Sequence, residues 1–393
     1  MNPERQPTTV TDELLNKWST DSTGPVGLHL KQKLLPVEAV GGKNNEDGQV
    51  RPVIFPPTYA DIGYNIDTLM DGTRVATIDS VGSQANRLEP MFKSDSSDRN
   101  DWLVPQIKIK LNEGKTVSLL ELAHRSADSV VRSSPGLLKL AQDAFDSLRK
   151  GNAGPLCELA PTSLVFGVWD SRGESGEKRP RLVRSIIRAW NVESLHAAAQ
   201  FNSVWKALDE DQQNELKKDA KAKKIELSEK GFADAPGVFR KSDKVPQFRE
   251  GAPNPEARVL GGVIVHGQIE RQVTVNLVAL RALRGKDETE TNAIRKYLLG
   301  LSLMAATADI ELFLREGCLL RYADGKDSWW QVPRRGEPTE VTLEKSVIEQ
   351  YVKASATHFR PRWPERLEFK FDLKEAKNLL AKTTKEEAST KGS

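Results

Sequence analysis

The sequence predicts an α+β fold, and three observations carry that reading. Apolar residues recur every three or four positions in some segments and every second position in others. The two kinds of segment interleave irregularly, without the strict alternation of a βαβ chain. No repeat of fixed period runs through the 393 residues. Apolar residues make up 38% and charged residues 29%, enough for a sizeable core beneath a charged surface.

Taken in order, residues 1–11 are polar with two prolines and 376–393 end in KTTKEEASTKGS without apolar period, so both are expected to be disordered tails. DELLNKW, from Asp12, predicts a short helix, and GPVGLHLKQKLLPV alternates as a half-buried strand does. The stretch 41–65, rich in glycine, asparagine and proline, reads as a long loop. TRVATI is then a strand that runs into IDSVGSQANRLEP, Ile78–Pro90. Residues 105–117 predict a hairpin, because Ile107, Ile109 and Leu111 alternate with Lys108 and Lys110 and NEG supplies the turn.

Helices are expected over SLLELAHRSADSVVRSS and PGLLKLAQDAFDSLRK, and a buried strand over the apolar run TSLVFGVWDS. Residues 194–229 read as helical and increasingly charged, followed by proline-rich chain to 257, so 194–257 is an insertion on a core made of 12–193 and 258–375. The second part opens on a strand in which Val273, Val275 and Leu277 alternate with Gln272, Thr274 and Asn276. ETNAIRKYLLGLSLMAATADIELFLREG is the longest apolar helix, and CLLRYA, SWWQV and RLEFKFDL read as short strands.

Composition narrows function. A net charge of +3, from 58 basic against 55 acidic residues, is too weak a field to attract a polyanion, so any such site must be local. Two cysteines, Cys157 and Cys318, exclude a disulfide framework and suit a reducing cytoplasm. The N-terminus lacks a signal-peptide core, and no apolar run approaches the roughly 20 residues that span a bilayer. A cytoplasmic protein is expected.

Catalytic motifs are sparse. EGKT at 113–116 lacks the upstream glycine of a phosphate-binding loop, and GESG near Ser175 is one residue short of a nucleophile elbow. His29, His124, His196, His266 and His358 stand singly, without metal-ligand spacing. Asp79 and Glu89 could pair as acid and base, although helix capping suits Asp79 better. No cofactor is implied.

Two segments point to nucleic acid. A helix starting near Ser80 puts Val81, Ala85 and Leu88 on one stripe and leaves Ser83, Asn86 and Arg87 elsewhere. Glycine, serine and amides in its first turn could seat a phosphate, or could instead cap the helix and satisfy loop carbonyls. EKRPRLVRSIIRAW holds Lys178, Arg179, Arg181, Arg184 and Arg188 close together. As a helix it exposes Arg181, Arg184 and Arg188; as a strand it mixes arginine with apolar residues on one face. Either arrangement aims guanidiniums one way, as a nucleic-acid groove requires, while a solvated face with carboxylate partners is the plainer alternative. His124, Arg125, Arg281 and Arg284 add basic positions. Trp329 and Trp330 could stack on bases, but a strand would put one of them in the core.

FPPTYAD at 55–61, DSVGSQANRLEP at 79–90, HRSADSVVR at 124–132, FGVWDSRG at 166–173, RLVRSIIRAW at 181–190, VNLVALRALRG at 275–285 and FLREGCLL at 313–320 occur in an order that resembles the CRISPR-associated RAMP-superfamily backbone protein of type I-G (formerly I-U) effector complexes. The resemblance runs from about residue 12 to residue 345. It implies a modified RRM-like (ferredoxin-like) palm with large helical and irregular insertions, in a subunit that polymerises along a CRISPR guide RNA. Such a subunit grips the sugar-phosphate backbone and presents bases to target DNA, beside other Cascade subunits. By the same resemblance 194–257 is finger-like and the 105–117 hairpin is the thumb. The RNA-binding set is then Ser83, Gln84, Asn86, Arg87, His124, Arg125, Arg181, Arg184, Arg188, Arg281 and Arg284. Two other readings remain open: a metal-dependent ribonuclease using Asp79, as in type III relatives, and a protein-only structural module.

Overall fold

The computed structural model describes residues 7–39, 53–59, 62–170, 176–197, 204–225, 227, 230, 232, 259–323 and 327–380. Most of the expected insertion and the final residues of the C-terminal tail lie outside that set. In chain order the principal elements begin with α1 (Asp12–Thr20), β1 (Gly27–Pro36), β2 (Arg74–Asp79) and α2 (Val81–Leu88). The hairpin β3 (Lys108–Asn112) and β4 (Lys115–Ser118) follows, then α3 (Pro135–Arg149), α4 (Gly154–Leu159) and α5 (Pro161–Phe166). Next come β5 (Val183–Trp190), β6 (Val192–Ala197), α6 (Glu210–Lys223), β7 (Val259–Val265) and β8 (Ile269–Asn276). The chain then forms α7 (Glu288–Ala306), β9 (Cys318–Tyr322), β10 (Trp329–Val332), β11 (Thr339–Thr342), α8 (Lys345–Ala356) and β12 (Glu368–Lys370).

The architecture is mixed α+β around a ten-stranded sheet whose central order is β11, β10, β1, β8, β5, β2. Each of these neighbours is antiparallel. β6 and β7 prolong the β5 and β8 hairpin, and Ala197 pairs with Val259. The chain therefore leaves and re-enters this ladder at adjacent positions.

Alternation sorts the sheet into two faces. Leu28, Leu30, Val183, Val273 and Val275 are buried with α7 in the larger core. Leu34, Ile187, Ala189 and Ile269 belong to a second cluster with Ala76, Ile78, Leu314 and Cys318. Between the clusters the same face carries Gln32, Ser185 and Arg271, all buried. They are stitched into one chain of bonds. Gln32 Nε2 donates to Asp327 at 2.8 Å, and Arg271 Nη1 donates to Gln32 Oε1 at 2.8 Å. Arg271 Nε donates to Ser185 Oγ at 3.1 Å, and Ser185 Oγ donates to Gln84 Oε1 at 2.7 Å. Gln84 Nε2 completes the run on Asp79 Oδ2 at 2.6 Å. Asp79 is 1% exposed, with Arg87 Nε at 3.1 Å and Arg315 Nη2 at 3.5 Å. A second buried pair, Glu89 and Arg125, meets at 2.7 Å under α2. Burial pushes the Glu89 carboxyl up to about 7, against the pull of Arg125 and a bond from Thr162.

Several elements differ from expectation. Asp79 is not the cap of α2: Ser80 is, accepting from the Ser83 N–H, while Asp79 ends β2 inside the polar seam. Residues 119–134 form three short turns of helix instead of one long helix. Ser118 and Asp128 each start a new turn, and Arg125 takes φ 55, which a continuing helix forbids. The apolar run TSLVFG lies mainly in α5, with Pro161 at its start and Gly167 at φ 82 at its end, because burial on all sides erases the period that separates helix from strand. The arginine-rich segment takes the strand alternative as β5, and 192–197 is strand where helix was expected from 194. The predicted apolar helix stops at Ala306, and Phe313–Arg315 is a strand. α8 has no counterpart in the sequence reading.

Two outcomes follow from the buried polar groups. Arg271→Met removes the donors that Ser185 and Gln32 receive and is expected to cost about 2–4 kcal/mol in urea unfolding; a change under about 0.5 kcal/mol contradicts the seam. Between pH 4.5 and about 7 the folded chain holds a Glu89 proton that the unfolded chain has shed. That stabilisation is complete below 4.5 and is lost as pH rises through about 7. Wild type should therefore lose thermal stability relative to Glu89→Gln across that window, and a flat difference contradicts the assignment.

Candidate nucleic-acid interface

The other face of the sheet is built by the residues that alternate with the core. On β1 these are His29, Lys31 and Lys33, on β5 Arg184, Ile186 and Arg188, and on β8 Glu270, Gln272 and Thr274. Register aligns them in rows. Trp330, His29, Thr274 and Arg184 are successive partners across four strands. Lys31, Gln272 and Ile186 form the next row, and Lys33, Glu270, Arg188 and Thr77 the third. Neighbouring strands lie about 4.8 Å apart and successive rows about 7 Å apart, so the four cations occupy one continuous surface. Among the described residues no ion pair engages Lys31, Lys33, Arg184 or Arg188. Glu270 is the acid among them, and its carboxylate accepts from Gln272 Nε2 at 3.1 Å.

His29 Nδ1 lies 3.0 Å from Thr274 Oγ1. Burial first, then the charge of Lys31, lowers its pKa, so its imidazole is neutral at pH 7. Next to this surface, Arg181 is exposed, and burial together with the like charges of Arg125 and Arg184 disfavours its own charge. Its stem crosses Gly167 so closely that a Cβ there would come within 2.7 Å of Arg181 Cγ. An anion near Arg181 and Arg184 would relieve that repulsion.

The residues expected from sequence divide into two groups. Arg184 and Arg188 lie on the open face, with Arg181 at its margin. Asn86 and His124 are exposed, and Ser83 is half-buried at the start of α2. Gln84, Arg125 and Arg281 point inward instead. Gln84 is fully buried between Asp79 and Ser185. Arg125 holds Glu89, donates to Asn86 Oδ1 at 3.2 Å and lies over the Phe166 ring. Arg281 donates to the carbonyls of Trp18 and Pro25 at 2.9 and 2.6 Å. Arg87 spends Nε on Asp79 and Nη2 on the Leu314 carbonyl at 2.7 Å. Arg284 is exposed, beyond the end of β8. The polar stretch after β2 thus chiefly fastens the fold, with Asn86 left at the surface.

His29, Lys31 and Lys33 were missed as members of this face, whereas Trp330 was weighed for stacking and left out of the binding set. The signal of the first three was present in GLHLKQKLL, where they fall at alternate positions of a strand whose other positions are apolar or amide. Asp79, the one acid considered for nuclease chemistry, is enclosed by Gln84, Arg87 and Arg315. Among the described residues no cluster of three or more histidine, cysteine or acidic side chains could hold a metal ion. Cys157 and Cys318 are both free and buried, and no described helix is long and apolar enough to cross a membrane.

No curated protein matches the chain. Residues 36–194, about two fifths of the sequence, match the model of a family described as CRISPR-associated protein GSU0053. That segment contains β2, α2, the 105–117 hairpin and the arginine strand β5, and over it the chain is similar to this CRISPR-associated family.

Proposed function

We propose that the chain is a guide-RNA-binding backbone subunit of a type I-G, Cascade-like surveillance complex in the cytoplasm. The observation that carries this reading is the open sheet face, where Lys31, Lys33, Arg184 and Arg188 lie in register around Glu270. Cations in register on a rigid sheet suit a polyanion, and phosphate contacts carry affinity without reading sequence. Specificity then resides in the guide, whose bases remain to pair with target DNA.

Strand order supports an RRM-like palm. In chain order β1, β5, β8 and β10 are first, second, third and fourth, and in space they run fourth, first, third, second. The helices α2 to α5 connect the first two, and α7 connects the last two. That order agrees with a βαββαβ unit in which β2 is added beside β5, which supports the RRM-like reading. The pairing of Ala197 with Val259 supports a finger-like insertion between them, and the 105–117 hairpin is assigned as the thumb. Polymerisation along the guide and contact with other subunits belong to the same proposal. A binding role is favoured over ribonuclease action because the Asp79 carboxylate is already engaged by Gln84 and two guanidiniums.

If four side chains neutralise phosphates of single-stranded RNA, log affinity should fall with log salt at a slope of about −3. Replacing Lys31, Lys33, Arg184 or Arg188 singly with alanine should reduce that slope by about 0.7 and weaken all sequences alike. Fluorescence anisotropy between 50 and 200 mM salt measures both, using concentrations chosen on the order of the expected screening range. A salt-independent affinity, or loss confined to particular RNA sequences, contradicts the reading.

A further inference from the structure

We infer that Trp330 is a stacking platform for one nucleobase on the open sheet face, so that this surface holds a strand by a base as well as by phosphates. The inference rests on the RNA-binding reading above and deepens it.

Trp329 and Trp330 are neighbours on one strand with opposite fates. Trp329 is 3% exposed and fills the core, while Trp330 is 40% exposed. Part of the Trp330 indole thus stays at the surface, where it offers the broadest π surface of any side chain. Among the described residues no hydrogen bond engages the Trp330 indole N–H and no cation lies over its ring. Trp169 is also well exposed, but Lys178 Nζ sits 5.0 Å from its ring centroid, so that face is taken.

The row containing Trp330 gives the platform its direction. His29 stands beside it, fixed against Thr274, and Arg184 closes the row three strand spacings away, about 14 Å. One nucleic-acid strand can therefore lay a base on the indole and a phosphate on the guanidinium. Glu340 flanks Trp330 on the other side and repels phosphate, so the backbone lies on the His29 side. A neutral His29 adds a flat second ring there without another charge. Stacking of this kind accepts every base, which is compatible with sequence specificity residing in the guide.

The test uses the full chain with Trp330→Leu and Trp330→Phe, and two probes of equal length: an oligouridine and the matching abasic ribose-phosphate strand. Trp330→Leu should weaken oligouridine binding roughly tenfold and leave abasic binding and the salt slope unchanged. Trp330→Phe should recover most of the loss, which separates stacking from misfolding. Equal binding of both probes by wild type and Trp330→Leu overturns the inference while the phosphate-gripping reading stands. Equal weakening of both probes also overturns it, because that marks a structural role. A wild-type chain that binds neither probe overturns the inference and the reading beneath it together.

Discussion

A buried carboxylate, Asp79, and the guanidinium of Arg271 are joined through Gln84 and Ser185, and the rest of the sheet is arranged around that seam. The seam divides the apolar face into two clusters and ties β2, α2, β5, β8 and β1 to one register. Register has a strict consequence in a sheet, since a slip of one residue moves every side chain to the opposite face. A shifted β5 would drive Arg184 and Arg188 into the core and expose Ser185 and Ile187. The inward polar bonds thus specify which cations face out.

The same division explains why arginine count alone was a poor guide to the site. Arg87, Arg125, Arg271 and Arg281 are spent on internal carboxylates, side-chain oxygens or backbone carbonyls. Arginine suits this work because its fork can satisfy several acceptors at once. Outside, the free cations are contributed by lysine as well as arginine, on strands adjacent in space and distant in sequence. The short stretch Ile78–Pro90 shows both uses: its glutamine and arginine bind inward, while Asn86 stays at the surface.

Much of the fold was legible where one periodicity dominates. α1, β1, β2, α3, β8 and the 105–117 hairpin follow directly from alternation or helical spacing. The failures share a cause. TSLVF is buried on every side, so neither period appears, and 119–134 is cut by side-chain caps that local polar residues supply. β6 was misread because its strand character depends on β7, more than sixty residues away in the chain. On the cationic face, Arg184 and Arg188, with Arg181 at its margin, were legible as a cluster, whereas Lys31 and Lys33 join them only through β8, a pairing one sequence cannot display.

The central claim is that the open face of the sheet is the RNA surface, and photo-crosslinking of bound RNA followed by peptide mapping tests it most directly. Crosslinks concentrated on residues 27–36, 183–190 and 329–332 are the predicted result. Crosslinks confined to the helical side, or to the β3–β4–β12 sheet, with none on those three strands, would contradict it.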